Sequence, residues 1–218
     1  MFKHYLKALQ DIFIPRLCFH CAKKIPQGVI CQDCFSLIQP IKQNAKLPPG
    51  ALYDRLICAI EYKEPVITLI HRFKYSHCDY LAAPLSGLII NQLVKFPINA
   101  DLITCVPTHP KKRKDRGYNP PAILAQRLAN YFKIPFLDDI IYEYAYRPSQ
   151  TGLTREKRKQ NPEDAFGAKD TCRGKNIALV DDVFTTGSTI NGCCRALRSE
   201  GVKTITAITL ARAYENFT

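Results

Sequence analysis

The chain has 218 residues, 46% of them hydrophobic and 23% charged, an ordinary globular composition with enough length for a sizeable core. No run of about 18 apolar residues occurs, and the opening stretch MFKHYLKALQDIF alternates apolar and charged residues, so a membrane span and a secretory signal are both disfavoured and a cytoplasmic protein is expected. The formal charge of +12 is uneven: residues 1–50 contribute +5 and residues 101–160 contribute +6. Such a field concentrates polyanions, whether nucleic acid, anionic lipid or a pyrophosphate-bearing metabolite.

In chain order, Phe2, Tyr5, Leu6, Leu9, Ile12 and Phe13 recur at helical spacing and predict an amphipathic stretch that packs on the cysteine-rich segment or the main domain. Next come two cysteine pairs, Cys18-x-x-Cys21 and Cys31-x-x-Cys34. In a chain that keeps its thiols reduced, paired CxxC units read as a metal site. The two-residue spacer lets both sulfurs of a knuckle face one ion, and two knuckles complete a tetrahedral, four-thiolate, structural Zn²⁺ site. His20 lies inside the first knuckle and reads as a bystander. The other six cysteines, Cys58, Cys78, Cys105, Cys172, Cys193 and Cys194, read as small buried residues without chemistry. Pro48-Pro49-Gly50 marks the best boundary, dividing residues 1–50, a helix and zinc module, from a main domain over 51–218.

From residue 51, the apolar runs RLICAI (55–60), DLITCV (101–106), KNIALV (175–180) and KTITAITL (203–210) alternate with helical patterns at 81–94, 122–129 and 190–197. Continuous apolar strands separated by helices predict an α/β fold with a parallel sheet covered on both faces. Ligands of such sheets collect at the carboxyl ends of strands, which directs attention to the residues after each run. After DLITCV comes Pro107-Thr108-His109-Pro110 and a basic run of Lys111, Lys112, Arg113, Lys114 and Arg116. A second basic cluster holds Arg155, Lys157, Arg158 and Lys159. Either is a solvated face or a polyanion-binding surface, and the pairing of two clusters favours binding. After IALV come Asp181 and Asp182, then Thr185-Thr186-Gly187-Ser188-Thr189 leading into a helix. Two carboxylates suit the vicinal hydroxyls of a ribose, and a hydroxyl-rich loop at a helix start suits a phosphate, so together they describe a ribose 5-phosphate site.

The string IALVDDVFTTGST resembles the phosphoribosyl-pyrophosphate (PRPP) fingerprint of type I phosphoribosyltransferases. That resemblance implies Asp181 and Asp182 on the ribose hydroxyls, Thr185 to Thr189 around the 5-phosphate, Mg²⁺ on the pyrophosphate, and Thr108 and His109 in the pyrophosphate loop by position. Taken with the cysteine pairs, Tyr62-Lys63, Leu69-Ile70, Lys74-Tyr75, Val106-Pro107, Arg116-Gly117-Tyr118-Asn119 and Gln150 to Phe166, the chain resembles the ComF family of competence proteins over about residues 16–212. Pro120 departs from the family pattern, in which Gln usually follows Arg-Gly-Tyr-Asn. The family implies a cytosolic factor of natural transformation that receives single-stranded DNA at the inner face of the inner membrane beside a helicase-like ATPase. Phe73, Tyr75 and Tyr118, close to basic residues, are then candidate stacking faces for unpaired bases. Two other readings stand beside this one: an active phosphoribosyltransferase acting on a nucleobase or small amine, and a zinc-module adapter with a vestigial ligand site.

Overall fold

The computed structural model describes residues 16–43, 47–75, 78–109, 113–114, 116–143 and 165–214. Among these, the strands are β1 (Arg55–Glu61), β2 (Leu102–Cys105), β3 (Ile141–Glu143), β4 (Phe166–Ala168), β5 (Asn176–Phe184) and β6 (Thr204–Arg212). The helices are α1 (Gln32–Ser36), α2 (Val66–Tyr75), α3 (Ala82–Lys95), α4 (Pro120–Phe132) and α5 (Ser188–Ser199). The main sheet runs in the order β1-β6-β5-β2 with every pair parallel. β3 and β4 form a separate antiparallel pair that packs against α5.

Strand alternation divides the core into two layers. Ala178 and Val180 of β5 join Leu69, Ile70 and Phe73 of α2, Leu85 and Ile89 of α3, and Leu124 and Leu128 of α4 on one face. Ile177 and Leu179 join Ile190, Cys193, Cys194 and Leu197 of α5 on the other. The expected α/β fold with a doubly covered parallel sheet is therefore the one observed. All six cysteines outside the two pairs are buried.

Pro120 and Pro121 occupy the first turn of α4, where a missing N–H costs nothing and a fixed φ favours entry. Asn119 precedes them in extended conformation, as a residue before proline prefers. The turn after Arg116-Gly117-Tyr118-Asn119 is thus compatible with proline at 120.

Both edges of the sheet are covered. Beside β1 runs a strap, Gln39 to Gln43: the N–H of Glu61 donates to the Gln39 carbonyl at 2.9 Å, and that of Ile41 to the Ala59 carbonyl at 3.1 Å. The Gln43 side-chain amide donates to the Cys58 carbonyl at 2.6 Å and accepts from the Cys58 N–H at 3.3 Å, imitating a strand neighbour in both directions. Beside β2, the N–H of Ile103 donates to the Pro135 carbonyl and the N–H of Leu137 to the Ile103 carbonyl.

Candidate functional site

The helix after β2 lies on one face of the sheet and the helix after β5 on the other, although the two strands are neighbours. Their following loops diverge at the carboxyl edge. This is the topological switch point at which open α/β sheets leave a crevice for a ligand.

On the β5 side, Asp181 and Thr185, Gly187, Ser188 and Thr189 line one small hollow of about 30 Å³. The Thr186 and Ser188 hydroxyl oxygens are 3.1 Å apart, and the Ser188 N–H donates to the Thr186 hydroxyl at 3.4 Å. Gly187 stands at the N-cap of α5 with φ +80°, and has no side chain to cap the helix start. A Cβ at this position would come within 2.7 Å of the Phe184 ring, so only glycine satisfies both the backbone and the packing. A hydroxyl-rich turn is thereby held at the positive end of a twelve-residue helix, the arrangement that suits an anion.

The two carboxylates part company. Asp182 is 6% exposed and pairs with Lys74 of α2 at 2.7 Å, whereas Asp181 faces the hollow and accepts the Asp182 N–H at 2.8 Å. Consecutive strand residues point to opposite faces, and that alternation sends only one acid toward the loop. Burial pushes the Asp181 carboxyl up to about 8, reinforced by the neighbouring Asp182 charge and opposed by the Asp182 N–H and Lys74.

On the β2 side, Thr108 and Asn119 are joined by a 2.6 Å hydrogen bond, and the Asn119 amide donates to the Val106 carbonyl at 3.3 Å. The His109 carbonyl accepts from the Arg113 N–H at 3.0 Å, and the Arg113 carbonyl from the Gly117 N–H at 2.9 Å. The Arg116-Gly117-Tyr118-Asn119 segment then grips the end of α2. The Tyr118 hydroxyl donates to the Phe73 carbonyl, and Arg116 donates to the Tyr75 hydroxyl at 2.9 Å with its guanidinium 4.6 Å from the centre of the Tyr75 ring.

Phe73 is fully buried, which corrects its candidacy as a stacking face. The Tyr118 ring rests 5.8 Å from that of Phe73, while Tyr75 is 57% exposed. Arg113 and Lys114 are exposed. Lys111, Lys112, Arg155, Lys157, Arg158 and Lys159 lie outside the described residues, as do the amphipathic stretch at 1–13 and most of Gln150 to Phe166. Lys74, in the sequence only one half of a Lys-Tyr motif, emerges as a site residue because α2 points its last turn at β5.

The two cysteine pairs converge: the sulfurs of Cys18, Cys21, Cys31 and Cys34 all lie within 4.8 Å of one another, with Cys21 and Cys31 at 3.6 Å. The first knuckle is closed by Ala22 in the left-handed conformation at φ +59°, its N–H donating to the Cys18 carbonyl at 2.9 Å. Burial works against ionisation of Cys18, yet backbone N–H groups of Cys21, Cys31 and His20 bring its thiol down to about 6. Burial and the three neighbouring sulfurs push Cys34 up. His20 turns away, its Nδ1 3.3 Å from the Glu64 carboxylate and 3.5 Å from the Thr68 hydroxyl of α2, and so behaves as the expected bystander.

Comparison with known proteins agrees with this architecture. Residues 120–216 match the family model of the phosphoribosyl transferase domain. Competence protein F of Haemophilus influenzae is 32% identical over 210 residues, covering 90% of each chain. The chain belongs to the competence protein F family. Within reach of the family are the DNA utilization protein YhgH of Escherichia coli K12, 25% identical over 91% of this chain and 98% of that one, and competence protein ComFC of Bacillus subtilis, 21% identical over 91% and 85%. Among solved structures, a glutamine PRPP amidotransferase from B. subtilis overlaps 60% of this chain and 26% of its own at 18% identity and a TM-score of 0.44. Competence and DNA-utilization relatives, a phosphoribosyltransferase-type domain and a four-cysteine cluster thus meet in one chain. No helix among the described residues is long and apolar enough to cross a membrane.

Proposed function

We propose that this family member binds incoming single-stranded DNA during natural transformation and binds PRPP with Mg²⁺ in the crevice between β2 and β5. Residues 1–50 form a zinc module in this reading, and residues 51–218 carry the ligand site. The observation that supports the ligand most directly is the convergence of Asp181 and the Thr185–Thr189 loop on one hollow at a helix start. The 5-phosphate would lie on the loop, and Asp181 would take a ribose hydroxyl. Asp182 acts through Lys74 until a ligand competes for its carboxylate. Thr108 and His109 stand at the end of the adjacent strand, on the pyrophosphate side. Mg²⁺ binds through phosphate oxygens and water with one or two carboxylates, and Asp181, the acid that faces the hollow, would supply one once the cation displaces its proton.

The cysteine cluster fits Zn²⁺. Bonds of about 2.3 Å at tetrahedral angles place sulfurs roughly 3.8 Å apart, close to the separation of Cys21 and Cys31. All four positions are protein thiolates, so the ion supplies a cross-link rather than a reaction centre. The DNA half of the reading is supported by the relatives' names and by the basic excess around residues 111–116 and 155–159. A helicase-like ATPase at the inner face of the inner membrane completes the family-level picture.

Calorimetric titration of the zinc-loaded protein with PRPP and Mg²⁺ tests the ligand site. Saturable binding is expected, lost in Gly187→Ala; absence of binding by the wild type would reject the site. Anisotropy of a labelled oligonucleotide across a salt series tests the DNA half, with a slope of about 0.7 per phosphate contact for a single strand.

A further inference from the structure

The outward side of α2 carries a feature that the PRPP site does not use. Ile67, His71 and Tyr75 follow one another at four-residue spacing, with Thr68 and Arg72 beside them, so they share a face of the helix. His71 and Tyr75 are exposed and Arg72 is half-buried. The rings of His71 and Tyr75 lie 4.9 Å apart at a 43° tilt, and the Arg116 guanidinium lies 4.6 Å from the Tyr75 ring centre. Arg116, Tyr75 and His71 thus form a contiguous run of planar groups in contact. Its His71 end opens on a hollow of about 480 Å³ lined by Glu64, Ile67, Thr68, His71 and Arg72.

The cysteine module touches residues that line this hollow, Phe19 at Arg72 and His20 at Glu64 and Thr68. Phe19 packs under the Arg72 guanidinium at 4.6 Å and meets Tyr80 edge-on at 6.1 Å. Glu64, the acid in the hollow, is already engaged by the Thr68 hydroxyl at 2.7 Å and by His20 at 3.3 Å, leaving Arg72 as the charge that an incoming group meets. A planar floor, an apolar wall from Ile67 and flanking guanidiniums suit an unstacked nucleobase with its phosphates, and a duplex has no free base to offer.

Resting on the proposed single-strand binding, we infer that the outer face of α2 is the track for that strand: one base seats in the hollow against His71, and Arg72 and Arg116 take the neighbouring phosphates. The cysteine module then forms one bank of the track.

Anisotropy titrations of the full-length zinc-loaded protein test this with His71→Ala, Tyr75→Leu and Arg72→Ala, using a single strand, an abasic strand of equal length and a duplex. His71→Ala and Tyr75→Leu should each weaken single-strand binding about tenfold with an unchanged salt slope, and leave the abasic strand and the duplex unaffected. Arg72→Ala should lower the salt slope by about 0.7. Thermal melting checks that each variant folds, and truncating the exposed His71 and Tyr75 and the half-buried Arg72 should leave it within a few degrees. If the wild type prefers single strands but all three variants bind as it does, the track is wrong and the DNA reading survives. If the wild type shows no preference for single strands, both fall.

Discussion

Asp181 is a carboxylic acid held against ionisation beside the Thr185–Thr189 loop at the start of α5. Its pKa stands near 8 against 3.8 in the unfolded chain, so the folded state holds the proton more tightly and its stability falls as pH rises from about 4 through 8. Because Asp181 remains partly open to solvent, a loss of about 1 kcal/mol, some 2–4 °C in melting temperature, is a reasonable scale. Asp181→Asn should flatten the melting temperature between pH 5.5 and 8.5; an identical slope in wild type and variant would show that other groups set it. At this scale the cysteine pairs and the Thr-Thr-Gly-Ser-Thr loop were legible because their chemistry depends on local spacing. The division of labour between Asp181 and Asp182 was not, because it depends on Lys74, more than a hundred positions away and brought in by a helix. Phe73 shows the same limit: one position separates it from Lys74, and helical geometry buries one and turns the other toward β5.

Among the elements, β1, β2, β5 and β6 announced themselves as continuous apolar runs, since a strand buried on both faces has no polar side to interrupt it. α2 did not stand out as a helix, and β3 and β4, three residues each, are too short to show a period. The cysteine module is the element with least core of its own: between Arg16 and Gln43 only Cys18, Cys34 and Ile41 are buried hydrophobic residues. Its order should therefore depend on the metal. Treatment with a zinc chelator is expected to release one Zn²⁺ per chain and to open residues 16–38 to protease while the main sheet persists. Cys21→Ser should shift the metal affinity by orders of magnitude, and a chelated protein that resists cleavage as the untreated one does would show that the module stands without metal.

For the whole molecule, α2 is the shared beam. Its inner side feeds the core with Leu69, Ile70 and Phe73, Lys74 holds Asp182 of β5, and its outer side meets both the knuckle through His20 and the basic loop through Arg116. Lys74→Met takes away the cation that faces the buried Asp182 side chain, at a cost of about 2 kcal/mol or more. Adding Asp182→Asn should recover most of that loss, and a double-mutant cycle in urea measures the coupling. Additive losses would mean that the pair contributes nothing jointly. The strap from Gln39 to Gln43 carries a further consequence. An uncovered β-edge is a template on which a second chain can add a strand, and the strap occupies that template along β1. Since the strap comes directly after the cysteine module, loss of the proposed zinc would threaten more than the knuckle. It would expose the backbone of Cys58 to Glu61, and the expected outcome is self-association into aggregates, visible as light scattering after chelation, well before the sheet itself unfolds.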